Sequence, residues 1–269
     1  MTTAVDSAIP MPASRAVAGA GENGEPVIRF EGVDKAFGSN VVYSGMSLTI
    51  RRGETITIIG GSGTGKSVML KLLMGLMKPD AGSIWFKDQD IAAIDEDGLI
   101  AVRRQISMLF QGAALFDSMS VFDNIAYPLR EHLKLPEEQI VQRVERDLEM
   151  VGLRGVGEMM PAELSGGMKK RVGLARAIAI EPDVILYDEP TTGLDPSNTR
   201  RINELIVQMQ RKLGVTSIVV THDMPSAFFV SNRIAMLWEH QIHSVQSIDE
   251  IERAGDPMIR SFVEGTLEL

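Results

Sequence analysis

The tightest constraint on this chain is a run of eight residues, Gly-Gly-Ser-Gly-Thr-Gly-Lys-Ser at 60–67. An alternating strand pattern, Glu54-Thr-Ile-Thr-Ile-Ile59, leads in, and an apolar helical stretch, Val68–Met74, leads out. The run fills every fixed position of G-x-x-x-x-G-K-[ST]. Gly60, Gly61, Gly63 and Gly65 let the backbone curl into a nest of N–H donors, in conformations that a Cβ disfavours. Ser62 and Thr64 complete the loop, Lys66 can reach β- and γ-phosphates, and the Ser67 hydroxyl can ligate Mg²⁺. The following helix presents its N-terminus to the same phosphates. A strand, a nest and a helix in that order predict an α/β chain that takes a nucleoside triphosphate.

A second signal sits at Asp183-Val-Ile-Leu-Tyr-Asp-Glu189. The apolar run Val184–Tyr187 suits a central parallel strand covered on both faces. Asp188 at its tip can hold the shell of a Mg²⁺ ion. Glu189, one step on, is placed to polarise an attacking water. An Asp-Glu pair that merely caps a strand end is the bland alternative, and the phosphate loop makes it the weaker one.

The third signal is Leu164-Ser-Gly-Gly-Met168, followed by Lys169-Lys170-Arg171 and a helical stretch, Val172–Ile180. Here the chain resembles the ATP-binding-cassette (ABC) ATPases, with Met168 where glutamine is usual. Further motifs follow the family order. Gln111 in Leu-Phe-Gln-Gly resembles the Q-loop glutamine, and Gly193-Leu194-Asp195 resembles the D-loop. His222 in Val-Thr-His-Asp resembles the switch histidine, and Phe37 in Lys-Ala-Phe-Gly the aromatic that stacks on adenine. The resemblance runs from about Val27 to about Ser244. It implies the P-loop NTPase class, a RecA-like core with an antiparallel β subdomain and an α-helical subdomain, and it implies ATP with Mg²⁺. It assigns catalysis to Glu189, His222, Lys66 and Gln111, and metal binding to Ser67, Gln111 and Asp188. Nucleotide contact falls to Phe37, residues 60–67, Ser165, Gly166, Gly167 and Asp195.

Length and composition fit one cassette. The 269 residues carry 44% hydrophobic side chains, ample for a core, and a net charge of −9, which argues against a nucleic-acid partner. No apolar run approaches the roughly 18 residues of a membrane span. There is no cysteine, which fits a reducing compartment. Residues 1–25, rich in Ala, Gly, Ser and Pro, read as a disordered leader without the basic start and apolar core of a signal peptide. The cassette is expected over 26–245, with its helical subdomain at about 112–164, and a C-terminal helical extension over 246–269.

Within it, Val27–Val33, Met46–Ile50 and Ser83–Phe86 read as strands, then a helix over Asp95–Arg104 and a strand over Ile106–Phe110. The pattern turns helical from Val121 to Leu164. Ile140, Val144, Leu148 and Val151 form an apolar stripe, with Pro136 at the helix start. Strands follow at Thr216–Val220 and Ile234–Trp238, and short helices over Ile248–Leu267.

With no internal repeat, the resemblance implies a head-to-tail homodimer, because the signature of one ABC subunit completes the nucleotide site of the other, with Asp195 coupling the two sites. Three segments, Leu109–His132, Leu164–Arg171 and Asp256–Gly265, are similar to MlaF-type ATPases of Mce-associated lipid transporters. That similarity implies an MlaE-type integral permease, a periplasmic Mce-domain protein and a peripheral position on the cytoplasmic face of the inner membrane. A small regulatory subunit is a further candidate partner. A polar-solute importer such as an amino-acid system shares every nucleotide residue and remains an alternative. A DNA-repair ABC protein is disfavoured, for want of a coiled-coil or zinc insertion. Leu115, Phe116, Met119 and Val121 are the apolar candidates for a permease groove.

Overall fold

The computed structural model describes residues 24–263 and residue 266. The expected leader therefore lies outside the described residues, apart from Gly24 and Glu25, as does Gly265 in the C-terminal motif.

The first elements among the described residues are β1 (Pro26–Phe37) and β2 (Asn40–Arg51), a hairpin longer than the two apolar patches suggest. Phe37 pairs with Asn40 across Gly38, whose φ of +62° a two-residue turn needs. Next come β3 (Thr55–Ile59), α1 (Lys66–Leu73), β4 (Ala81–Phe86), β5 (Gln89–Asp90), α2 (Glu96–Arg103) and β6 (Ile106–Leu109). Asp95 is the N-cap of α2 rather than part of it, and its side chain accepts from Gly98 N. The strands β2, β1, β4 and β5, in that order, form an antiparallel sheet.

The helical region holds α3 (Val121–His132) and α4 (Glu137–Met150), with Pro136 in the N-cap position. Ile140, Val144, Leu148 and Val151 are all buried, as the stripe predicts. The helical pattern does not continue to Leu164. Gly152 and Gly155 both take φ of +70°, and only a short 3₁₀ turn, Pro161–Glu163, follows. The next helix, α5 (Gly166–Ile178), starts earlier than the apolar run suggests, because Ser165 caps it by accepting from Met168 N.

The remaining described elements are β7 (Val184–Asp188), α6 (Pro196–Leu213), β8 (Thr216–Val220), α7 (Met224–Val230), β9 (Arg233–Trp238), β10 (Gln241–Ser247), α8 (Ile248–Ala254) and α9 (Pro257–Val263). The second sheet runs β10-β9-β3-β8-β7-β6, parallel except for β10. Every residue of β3 and β8 is buried, as strands covered on both faces must be. The expected boundary at 245/246 falls inside β10.

One consequence positions the site. Parallel strands point their carboxyl ends to one edge, which is where open α/β sheets bind ligands. Residues 60–67 leave β3 there. Gln111 follows β6 there, Asp188 ends β7 there with Glu189 next to it, and His222 follows β8 there.

Candidate functional site

The loop at 60–67 is shaped by close contacts at Gly60 and Gly65 that leave no room for a Cβ. Gly60, Gly63 and Gly65 have φ of +154°, +78° and +105°. A Cβ at Gly60 would lie 2.6 Å from Leu237 O, and one at Gly65 would lie 2.4 Å from Val42 Cγ1. The Tyr43 hydroxyl, buried on β2, donates to Gly65 O at 2.5 Å. Thr64 Oγ1 closes the loop onto Gly61 O at 2.9 Å. Lys66 Nζ donates to Gly60 O at 2.9 Å and Gly61 O at 2.8 Å, so its ammonium lies over the nest. Burial lowers the Lys66 pKa, and the carboxylates of Glu189 and Asp188 oppose that shift.

Asp188 meets this loop directly. Ser67 Oγ donates to Asp188 Oδ1 at 2.9 Å, across 121 residues of chain. A hydroxyl and a carboxylate held together beside a phosphate nest are oxygen donors suited to Mg²⁺. Glu189 adopts φ of +48°, uncommon for a residue with a Cβ. Its Oε1 accepts from His222 Nδ1 at 2.9 Å, and its Oε2 from Thr192 Oγ1 at 3.0 Å and Thr221 Oγ1 at 3.3 Å. Gln111 is exposed just past β6, with no side-chain hydrogen bond to this cluster among the described residues. Phe37 is 48% exposed at the tip of the hairpin, with Lys35 Nζ 5.4 Å from its ring centre.

The signature residues form a second cluster, not joined to the loop by any hydrogen bond among the described residues. Gly167 packs so closely on α6 that a Cβ would lie 2.3 Å from Asn198 Oδ1. Asp195 caps α6, accepting from Ser197 N and Asn198 N at 3.0 Å and from Asn198 Nδ2 at 2.5 Å. The Asn198 side chain, followed by these backbone amides, lowers the Asp195 pKa. Ser165, Gly166 and Asp195 are exposed, Gly167 is buried against Asn198, and among the described residues no hydrogen bond joins these four to residues 60–67, Asp188, Glu189 or His222.

The family described as ABC transporter matches residues 43–192, more than half of the chain. The chain belongs to the ABC transporter family. It is 43% identical over 228 residues, 85% of each chain, to the intermembrane phospholipid transport system ATP-binding protein MlaF of Escherichia coli. It is 40% identical over 238 residues, 88% of this chain and 66% of the other, to the probable ribonucleotide transport ATP-binding protein mkl of Mycobacterium tuberculosis. Among solved structures, a dimeric post-hydrolysis state of the ATP-binding cassette MJ0796 bound to ADP and Pi superposes with a TM-score of 0.76. It is 30% identical and covers 82% of this chain and 98% of that one. The fold is the ABC cassette: a P-loop core, an antiparallel β subdomain and a helical part.

The cassette also carries an aromatic groove of about 320 Å³ beside β6 and α3. Phe110, Phe116 and Tyr127 line it, and all three are exposed. The Phe116 and Tyr127 ring centres are 5.2 Å apart, and the Arg176 guanidinium lies 5.9 Å from the Phe116 ring. Of the four apolar groove candidates, only Phe116 is exposed. Leu115 and Met119 are partly buried. Val121 is wholly buried in the core with Ile125 and Leu129, because it opens α3 facing inward. Phe110 and Tyr127 were not singled out by the sequence.

Tyr43, Lys170 and Asn198 also escaped the sequence reading. Lys170 could have been found. It shares the buried face of α5 with Gly167 and Leu174, so a lysine stands inside a helical stripe that is otherwise small or apolar.

Proposed function

We propose that this ABC ATPase hydrolyses ATP to drive the movement of phospholipid, or a closely related lipid, between the inner and outer membranes through an MlaE-type permease. Hydrolysis rests on the meeting of Ser67 with Asp188, and of Glu189 with His222, at the carboxyl edge of one sheet. The lipid cargo rests on 43% identity over 85% of the chain to an ATPase named for phospholipid transport.

The residues divide the work as follows. Backbone N–H groups of 61–67 and the Lys66 ammonium hold the phosphates of ATP, and Phe37 stacks on adenine. Ser67 and Asp188, with Gln111, would hold Mg²⁺, which when bound neutralises charge on the phosphate oxygens. Glu189 orients the attacking water and takes its proton, and His222 holds the Glu189 carboxylate while reaching the γ-phosphate. Catalysis is positioning and charge stabilisation.

The two separate clusters call for a partner. Ser165, Gly166 and Gly167 of one protomer close over ATP held by Lys66 of the other in a head-to-tail homodimer, and Asp195 links the two sites. The dimeric MJ0796 cassette with ADP and Pi supports this arrangement. The aromatic groove at Phe116 receives a cytoplasmic helix of the permease. Among the described residues no helix is long and apolar enough to cross a membrane. The permease holds the chain at the cytoplasmic face of the inner membrane and in turn carries a periplasmic Mce-domain protein, with a small regulatory subunit as a further candidate partner.

A second reading, a polar cargo, draws on the relative named for ribonucleotide transport. Affinity purification of the tagged chain from detergent-solubilised native membranes separates the two. A permease with an Mce-domain protein, and phospholipid extractable from the complex, supports the lipid reading. A permease with a polar-solute-binding protein would replace it and leave the nucleotide residues as assigned.

A further inference from the structure

Lys170 occupies an unusual place for a lysine. It projects from α5, five residues after the capping Ser165, and is only 5% exposed. Among the described residues no carboxylate lies within salt-bridge distance of its ammonium. Instead, Nζ donates to three backbone carbonyls, Glu189 O at 3.2 Å, Pro190 O at 2.7 Å and Thr192 O at 2.9 Å. An ammonium has three donors, and all three are used. Burying a charge against carbonyl dipoles alone is costly, so a lysine here needs a reason beyond packing.

The segment it grips is the strained one. Glu189 holds φ of +48°, in the left-handed region that a residue with a Cβ keeps only where its surroundings enforce it. On one side Glu189 N donates to Val220 O at 2.9 Å, which ties the residue to β8. On the other, its carbonyl is held by Lys170. The grip extends through Thr192, whose hydroxyl donates to Glu189 Oε2 at 3.0 Å. The same ammonium therefore fixes both the backbone that aims Glu189 and the residue that holds its carboxylate. Burial lowers the Lys170 pKa, while the nearby Glu189 charge works to keep it protonated.

We infer that Lys170 is a positioning residue that clamps residues 189–192 to the signature helix, so that Glu189 is aimed at water only when α5 is correctly seated. This rests on the reading of Glu189 as the residue that activates water. The geometry carries a further consequence. Gly167 touches Asn198, which binds Asp195, so α5 is keyed to the segment after β7 at two points, Lys170 and Gly167. A shift of the signature helix on meeting the other protomer's nucleotide is transmitted through Lys170 to the chain's own Glu189.

The test is steady-state ATP hydrolysis by the full chain in its purified membrane complex, with Lys170→Met and Lys170→Gln. Methionine keeps the length and removes every donor, while glutamine restores two. A 1 Å misplacement of a reacting group costs about 100-fold, and a loss of that order in kcat is expected for Lys170→Met, with the KM for ATP within about threefold of wild type. Partial recovery is expected in Lys170→Gln. The deciding arm is the double variant with Glu189→Gln. If Lys170 acts through Glu189, adding Lys170→Met to Glu189→Gln lowers the residual rate no further. Full activity in Lys170→Met overturns the inference, and so does a loss that multiplies with that of Glu189→Gln. If Glu189→Gln alone keeps wild-type turnover, the reading of Glu189 itself fails, an outcome separate from any result at position 170. Should Lys170→Met not fold, Lys170→Gln carries the same comparison.

Discussion

Replacing Gly65 by alanine probes the phosphate loop with one methyl group. Two independent penalties meet there. The φ of +105° is strained for any residue with a Cβ, worth of order 1–3 kcal/mol. The new carbon would also lie 2.4 Å from Val42 Cγ1 and 3.2 Å from Tyr43 Cε1 and the Tyr43 hydroxyl. Ordinary contact begins near 3.4 Å, so loop and strand must part by about 1 Å, at an overpacking cost of about 1–3 kcal/mol. The same parting stretches the 2.5 Å hydrogen bond from Tyr43 to Gly65 O. A loop displaced by about 1 Å presents its N–H groups to the wrong places, and a loss of about 100-fold in kcat/KM for ATP is expected. Nucleotide titration by fluorescence, alongside steady-state hydrolysis, reads it. Adding Val42→Ala removes the methyl in the way, so affinity should recover in part, the remainder being the backbone strain. Wild-type affinity in Gly65→Ala would refute the reasoning, as would complete recovery in the double variant, which would leave no strain to account for.

Three further outcomes are expected. Glu189→Gln should bind ATP and remain dimeric, while hydrolysing about 10²–10⁴-fold more slowly, measured by phosphate release and light scattering. Asp147 is fully buried on α4 with Oδ2 unpartnered, and burial, only partly offset by Arg146, pushes its pKa from 3.8 to about 6. The native state therefore holds more protons than the unfolded one between those values, so stability falls as pH rises through that window, by about 3 kcal/mol in all. Asp147→Asn should flatten that slope in urea midpoints measured from pH 4 to pH 7, and an unchanged slope would assign it to other groups. Phe116→Asp should abolish transport while basal ATP hydrolysis continues, and a joint loss would make Phe116 part of the core rather than of a permease contact.

The sequence carried the site well where spacing alone dictates geometry. A strand, a glycine nest, a lysine and a serine must fold as they do, and the Asp188 that meets Ser67 stands at the end of an unmistakably buried strand. It carried less where a residue's role depends on its neighbours in space. β10 was missed because Gln241–Ser247 has only Ile242 and Val245 as apolar side chains, too little alternation to mark an edge strand held by β9. Val121 reads as one more apolar residue near Phe116, and only the start of α3 turns it inward. Asp147 is polar in a stripe otherwise read correctly, and its burial comes from the packing of α4 on its neighbours rather than from its own helix. Lys170 lies in a basic run, and although its place in the apolar stripe of α5 signals burial, the three carbonyls of the segment after β7 that receive it are visible only in the fold.

The account stands or falls on what ATP turnover at this site moves. The direct measurement is transport by the purified complex in proteoliposomes, with labelled phospholipid, comparing the wild-type chain with Glu189→Gln. ATP-dependent transfer of phospholipid, lost in the variant, is the expected result. ATP hydrolysis that moves no lipid but drives uptake of a polar solute would contradict it.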